Sequence, residues 1–139
     1  MGAREKAEKL HRRVSTFILS CVDEDGYPLT KAVVPAIHRT SLSEIYFGTN
    51  VNSNFVKAII KSPKSCVYFY TRFGIWKGCF MKGDMEIVND MGVKEKYWDK
   101  KYKNAYSQKT FTDPDYCLLK FIPKGGRFYS WFKVEDFDI

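Results

Sequence analysis

Most of the β-branched and aromatic runs in this chain are separated by only a few residues. Parallel neighbours need a crossover of about a dozen residues or more, whereas antiparallel neighbours close through a tight turn. The first pair sets the pattern. Val14–Val22 and Pro28–Ile37 flank Asp23-Glu24-Asp25-Gly26, where Gly26 can take a positive φ without penalty. Continued along the chain, this spacing predicts about seven mostly antiparallel strands with two or three short helices. The expected fold class is therefore mainly β, a barrel rather than a doubly wound parallel sheet.

The remaining elements follow from period and punctuation. Ala3 to Arg13 has the spacing of a short amphipathic helix. Pro35 lacks a ladder donor, which predicts a sheet edge or a bulge at that end of the second strand. Ile45–Thr49 reads as a third strand, followed by a helix from about Ser53 to Lys61 with Phe55, Val56, Ile59 and Ile60 inward. Ser62-Pro63 stops it. Cys66–Thr71 is apolar on both faces, as in a central strand. Cys79–Ile87 alternates cleanly, and Gly83 within it marks either a bulge or a ligand close to backbone. Asn89 or Asp90 caps a helix through about Lys101, packed by Val93, Tyr97 and Trp98. After a turn at Asp113-Pro114-Asp115, Leu118–Ile122 and Arg127–Phe132 read as two strands joined through Pro123-Lys124-Gly125-Gly126.

At 139 residues the chain suggests a single domain over 1–139. No apolar run approaches the ~20 residues of a membrane span, and the charged amino terminus lacks a signal-peptide core, so a cytoplasmic protein is expected. Cys21, Cys66, Cys79 and Cys117 are far apart, with no C-x-x-C pair and no histidine nearby, which argues against a metal or disulfide framework. The net charge of +7 suits an anionic partner. Much of the excess lies between Lys94 and Lys109, where a solvated basic face is the simpler reading.

The corner Phe47-Gly48-Thr49-Asn50-Val51-Asn52-Ser53 carries the functional signal. A helix start offers unpaired N–H groups and the positive end of the peptide dipole, and hydroxyl and amide side chains add donors, so the corner suits a phosphate. Asn52 or Ser53 acting only as a helix cap explains the same residues.

Several motifs resemble one family across nearly the whole chain. They are Asp25-Gly26-Tyr27-Pro28, Ile45 through Asn50 leading to Ser53, Ser62 through Tyr70, Lys82-Gly83-Asp84-Met85-Glu86, Thr112 through Phe121, and Gly126-Arg127-Phe128-Tyr129. Their order resembles the FMN-binding split β-barrel of the pyridoxamine 5′-phosphate oxidase-like superfamily, in its short, general-stress-protein-like branch. The resemblance implies an FMN cofactor and a homodimer with cofactor sites at the subunit interface. It places Lys31 on the phosphate and the backbone of Ala32 and Val33 along the flavin ring. Thr49, Asn50, Ser53 and Asn54 match the phosphate and ribityl corner, Gly78 and Cys79 match the strand reaching the ring from the partner, and Tyr129 or Trp131 match a cover for its edge.

Two departures qualify that expectation. The oxidase-like pattern reads Ser-Arg-Lys where this chain has Ser53-Asn54-Phe55. Two lost charged hydrogen bonds, at about 1.5–3 kcal/mol each, lower FMN affinity by on the order of 10²- to 10⁴-fold, and Lys57 restores part of that charge. The arginine and histidine of a second, substrate phosphate site are also missing, because only Arg127 follows Lys120. The vitamin B6 reaction is therefore not implied; a flavin-dependent oxidoreductase of unknown small-molecule substrate is. His38 and His11 need no catalytic role. Two other readings fit the composition. One is a basic barrel stacking single-stranded nucleic acid on Tyr68, Tyr70, Tyr129 and Trp131, for which core burial of those rings is the simpler account. The other is a cofactor-less dimeric interaction module.

Overall fold

The computed structural model describes residues 1–36 and 41–139. It is mainly β, with seven strands in one antiparallel sheet: β1 (Phe17–Val22), β2 (Pro28–Val33), β3 (Ile45–Asn50), β4 (Lys64–Thr71), β5 (Lys77–Val88), β6 (Tyr116–Ser130) and β7 (Lys133–Asp138). The strand order is β2-β1-β4-β5-β6-β3, with β7 also on β6. One edge of β6 runs along β5; the other is shared, pairing β3 over Tyr116–Phe121 and β7 over Gly125–Ser130. That division splits the barrel. Among the described residues its two ends meet at the bridge of Pro35 to Phe47, reinforced where the Ala36 N–H donates to the Tyr46 carbonyl at 2.8 Å. Pro35 thus follows β2, the strand at one end of the sheet order.

Alternation fills the interior. Phe17, Leu19, Val67, Phe69, Met81, Met85, Leu119 and Phe121 are all buried, and the Phe17 and Phe69 rings stack at 4.6 Å. Helix α1 (Ala3–His11) covers one end, burying Ala3, Ala7, Leu10 and His11. Helix α2 (Asn54–Lys61) buries Phe55, Val56, Ala58 and Ile59, while Ile60 is 69% exposed and leaves the expected stripe. Asp90 caps α3 (Met91–Lys96), which ends short of Lys101; a separate 3-10 turn over Lys100–Ala105 begins at Asp99. A second apolar cluster, Tyr46, Tyr97, Tyr106, Tyr116 and Leu118, fastens this excursion to β3 and β6.

The largest difference from the sequence reading is at the carboxy end. Leu118–Ile122 and Arg127–Ser130 belong to one strand, β6, while Trp131 and Phe132 form the turn into β7. Pro123-Lys124-Gly125-Gly126 reads as a turn, yet Gly126 is small because of crowding. A Cβ there would lie 2.5 Å from Phe137 Cζ and 2.7 Å from the Phe80 carbonyl oxygen. The reversal comes later, at Trp131, a non-glycine residue with φ of 52° that no turn signal marks. Of the two readings of Gly83, the bulge is the one seen. The β5–β6 register shifts between Lys82 and Gly83, and a Cβ on Gly83 would sit 2.1 Å from the Ile122 carbonyl oxygen.

Candidate functional site

β2 and β3 are not paired with each other in the sheet order, and a cleft of about 620 Å³ is lined by residues of both. Register decides what β2 presents to it. Lys31 pairs with Leu19 and Val33 with Phe17, so both project from the face that carries the core. The strand thereby places the exposed Lys31 on the side of the cleft, whose lining also includes Leu19, Phe47 and Leu119. Seven of the expected ligand residues line this one cleft: Lys31, Ala32, Val33, Thr49, Asn50, Ser53 and Asn54.

The β3–α2 corner is tightly wired. Ser53, not Asn52, is the cap, its Oγ accepting the Val56 N–H at 3.3 Å. The Ser53 N–H donates to the Asn50 carbonyl at 3.0 Å. Asn50 donates its side-chain amide to Asp115 Oδ2 at 2.5 Å and to the Ala105 carbonyl at 3.5 Å. The Val51 N–H also goes to Asp115. Phe55, at the position of a family cation, is buried and lines the cleft.

The opposite wall is aromatic. Tyr97, Trp98, Tyr102 and Tyr106 line it, with Trp98 and Tyr106 at 5.5 Å and Tyr97 stacked on Tyr46 at 3.8 Å. Tyr106 donates its hydroxyl to the Thr49 carbonyl at 3.0 Å. Burial, with Asp115 nearby, pushes its phenol up to about 12, so it stays a protonated donor at neutral pH. Three lysines of this segment lie over tyrosine rings: Lys94 over Tyr116, Lys96 over Tyr97 and Lys101 over Tyr102, at 5.2, 5.3 and 5.7 Å. Sequence reasoning assigned Lys94–Lys109 to a solvated face and missed Trp98, Asp99, Tyr102 and Tyr106 as lining residues. The available signal was an aromatic about every fourth residue among the lysines.

The other expected ligand residues lie elsewhere on the protomer. Lys57 is on the exposed side of α2. Cys79 points into the core, fully buried, and its burial pushes the thiol up to about 12. Gly78 lies on the outer face of the sheet, where a Cβ would come 2.5 Å from the Tyr68 hydroxyl. Tyr129 and Trp131 are on that side as well, the latter donating its N–H to the Trp76 carbonyl at 3.2 Å. Tyr68, Tyr70, Tyr129 and Trp131 are not core residues; Tyr70 is 42% and Trp131 58% exposed. His38 lies outside the described residues, and His11 is packed between Phe17 and Phe69.

Among the described lining residues only Lys31 and Asp99 carry charge, and neither histidine nor cysteine is present. The described lining of the cleft is thus largely apolar and aromatic. No group of histidine, cysteine and carboxylate side chains that could hold a metal ion occurs among the described residues. The four thiols are free, and no described helix is long and apolar enough to cross a membrane.

Comparison with known proteins agrees with this architecture. The solved structure of a protein related to general stress protein 26, of the pyridoxinephosphate oxidase family, from Clostridium acetobutylicum, superposes with a TM-score of 0.83. The two are 27% identical, over 97% of this chain and 93% of that one. General stress protein 26 from Bacillus anthracis gives 0.82 at 21% identity over the whole of both chains. A NimC/NimA family protein from Clostridium acetobutylicum gives 0.75 at 20% identity, over 99% of this chain and 92% of that one. The latter two bear on the fold alone. No curated protein matches the chain. A sequence profile described as pyridoxamine 5′-phosphate oxidase matches residues 3–130, and the chain belongs to that family.

Proposed function

We propose that the cleft binds FMN and that the chain is a cytosolic flavin-dependent oxidoreductase acting on a small molecule as a homodimer. The observation that carries this reading is the convergence of Lys31, Ala32 and Val33 on β2 with Thr49, Asn50, Ser53 and Asn54 at the β3–α2 corner, around one cavity. Its volume lies within the roughly 300–1,000 Å³ of small-molecule sites. The wall pairs apolar β2 residues with aromatic rings, as a planar ring system needs. Lys31, which forms no ion pair among the described residues, is available to the phosphate.

When bound, the flavin supplies hydride or electron transfer, chemistry that no lining side chain offers. The chain's own residues bind and orient it. The backbone of Ala32 and Val33 runs along the ring, Ser53 and Asn50 meet the tail, and the tyrosines keep one side dry. The outer sheet face carries Ala32, Ile18, Tyr68, Phe80 and Arg127 in register, a surface suited to a second copy that would bring Gly78, Tyr129 and Trp131 toward the partner's flavin. The vitamin B6 reaction is not part of the proposal. Arg127, the late arginine, is tied to Asp136 through two hydrogen bonds of 2.6 and 3.3 Å.

The test is titration of apo protein with FMN, followed by flavin fluorescence. Lys31→Ala is expected to weaken binding by about 10- to 100-fold, the loss of one charged contact, and Asn54→Arg to tighten it. Failure to bind FMN at high micromolar concentration, joined to a salt-sensitive shift of an oligonucleotide, would replace this reading with the nucleic-acid one.

A further inference from the structure

The polarity of the β3–α2 corner is set by what stands behind it. Asn50 spends its side-chain nitrogen on the Asp115 carboxylate and the Ala105 carbonyl, at 2.5 and 3.5 Å. Both partners can only accept, so the amide has one orientation, and the atom left for a ligand is Oδ1, an acceptor. The Val51 N–H is consumed by Asp115 Oδ1 at 3.3 Å and by the Asp115 carbonyl at 2.9 Å. Ser53 Oγ already accepts the Val56 N–H, which leaves its O–H as a donor. Among the described residues, the first helical N–H groups at Asn54 and Phe55 add donors, and the exposed Asn54 side chain offers both an N–H and an oxygen.

An ionised phosphate, which chiefly accepts, meets an acceptor and a nearby carboxylate here, and like charges repel. Hydroxyl groups both donate and accept, so they satisfy Oδ1 and the Ser53 O–H together. We infer that this corner recognises the hydroxylated chain of the ligand rather than its phosphate, and that Asp115 is the positioning residue that imposes the preference by holding the Asn50 amide. The inference rests on the flavin reading of the cleft. It leaves Lys31 as the lining cation for any phosphate.

The test titrates the full-length apo protein with FMN, riboflavin and lumiflavin, which share the ring and differ in the tail. FMN and riboflavin are expected to bind within about ten-fold of each other, with lumiflavin at least about ten-fold weaker than riboflavin. Asp115→Ala frees the amide to turn its N–H groups outward and removes the charge. The ratio of riboflavin to FMN dissociation constants then rises about ten-fold, while lumiflavin binding stays unchanged. Asn50→Ala weakens riboflavin and FMN alike and spares lumiflavin, which shows that the cleft remains folded. Wild-type preference for FMN above about 100-fold, or equal binding of riboflavin and lumiflavin, overturns the inference and leaves the flavin site standing. Binding of none of the three overturns both.

Discussion

Asp113 shows how one buried carboxylate holds the cleft's aromatic wall. It is 1% exposed and accepts the Gln108 N–H at 2.6 Å, the Asp115 N–H at 2.8 Å and the Ser107 hydroxyl at 3.3 Å. These donors, the Gln108 N–H foremost, hold its carboxyl below the usual carboxylate range. A depressed folded-state pKa gives stability that is present above the unfolded value of about 3.9 and is lost as pH falls through the folded one. Asp113→Asn should therefore lower the melting temperature at pH 7, and the gap to wild type should close as pH drops below about 4. Scanning calorimetry across pH checks both parts. A turn at Asp113-Pro114-Asp115 was readable from residue type alone, because aspartate and proline have strong local preferences. What the two carboxylates hold was not, since Asp115 meets Asn50 across 65 positions of chain. Lys31 was readable only through resemblance; its place on the side of the cleft needs the β1–β2 register.

Strands with period-two burial were the most legible elements. Cys79, Met81 and Met85 face inward as their alternation requires, and Pro35 follows the strand at one end of the sheet order. Glycine misled where it serves packing instead of turning. In the Gly125-Gly126 pair, a Cβ on Gly125 would meet the Phe137 carbonyl at an ordinary 3.4 Å, whereas one on Gly126 would overlap the Phe137 ring and the Phe80 carbonyl. Gly126→Ala should cost about 1–3 kcal/mol, and Gly125→Ala under about 1 kcal/mol. Urea unfolding of the two variants measures the contrast, and equal losses would restore the turn reading. The 91–115 excursion was poorly legible for another reason. Its lysines dominate composition, while its tyrosines find their partners only once β3 and β6 are side by side.

At the scale of the molecule, the chain leaves several large apolar side chains uncovered. Tyr70, Ile75, Trp131 and Val134 are each more than 40% exposed, and Phe73 and Phe132 are nearly bare at 95% and 98%. Where such side chains gather into one contiguous patch, they mark an interface. Light scattering should return twice the 16.2 kDa chain mass, and Phe80→Lys should shift the species toward one copy while weakening FMN binding. A wild-type monomer at high micromolar concentration would remove the partner's share of the site. The fold itself was legible at this scale because short turns leave few alternatives to an antiparallel barrel.

The shared edge of β6 also bears on how the chain matures. As the common neighbour of β3, β5 and β7, it leaves the ribosome after two of the strands it must join. Until then β3 waits with its hydrogen-bonding edge bare, and the nascent polypeptide cannot seal its barrel. Pairing so late and so distant in sequence makes for slow closure and a period of vulnerability to self-association during synthesis.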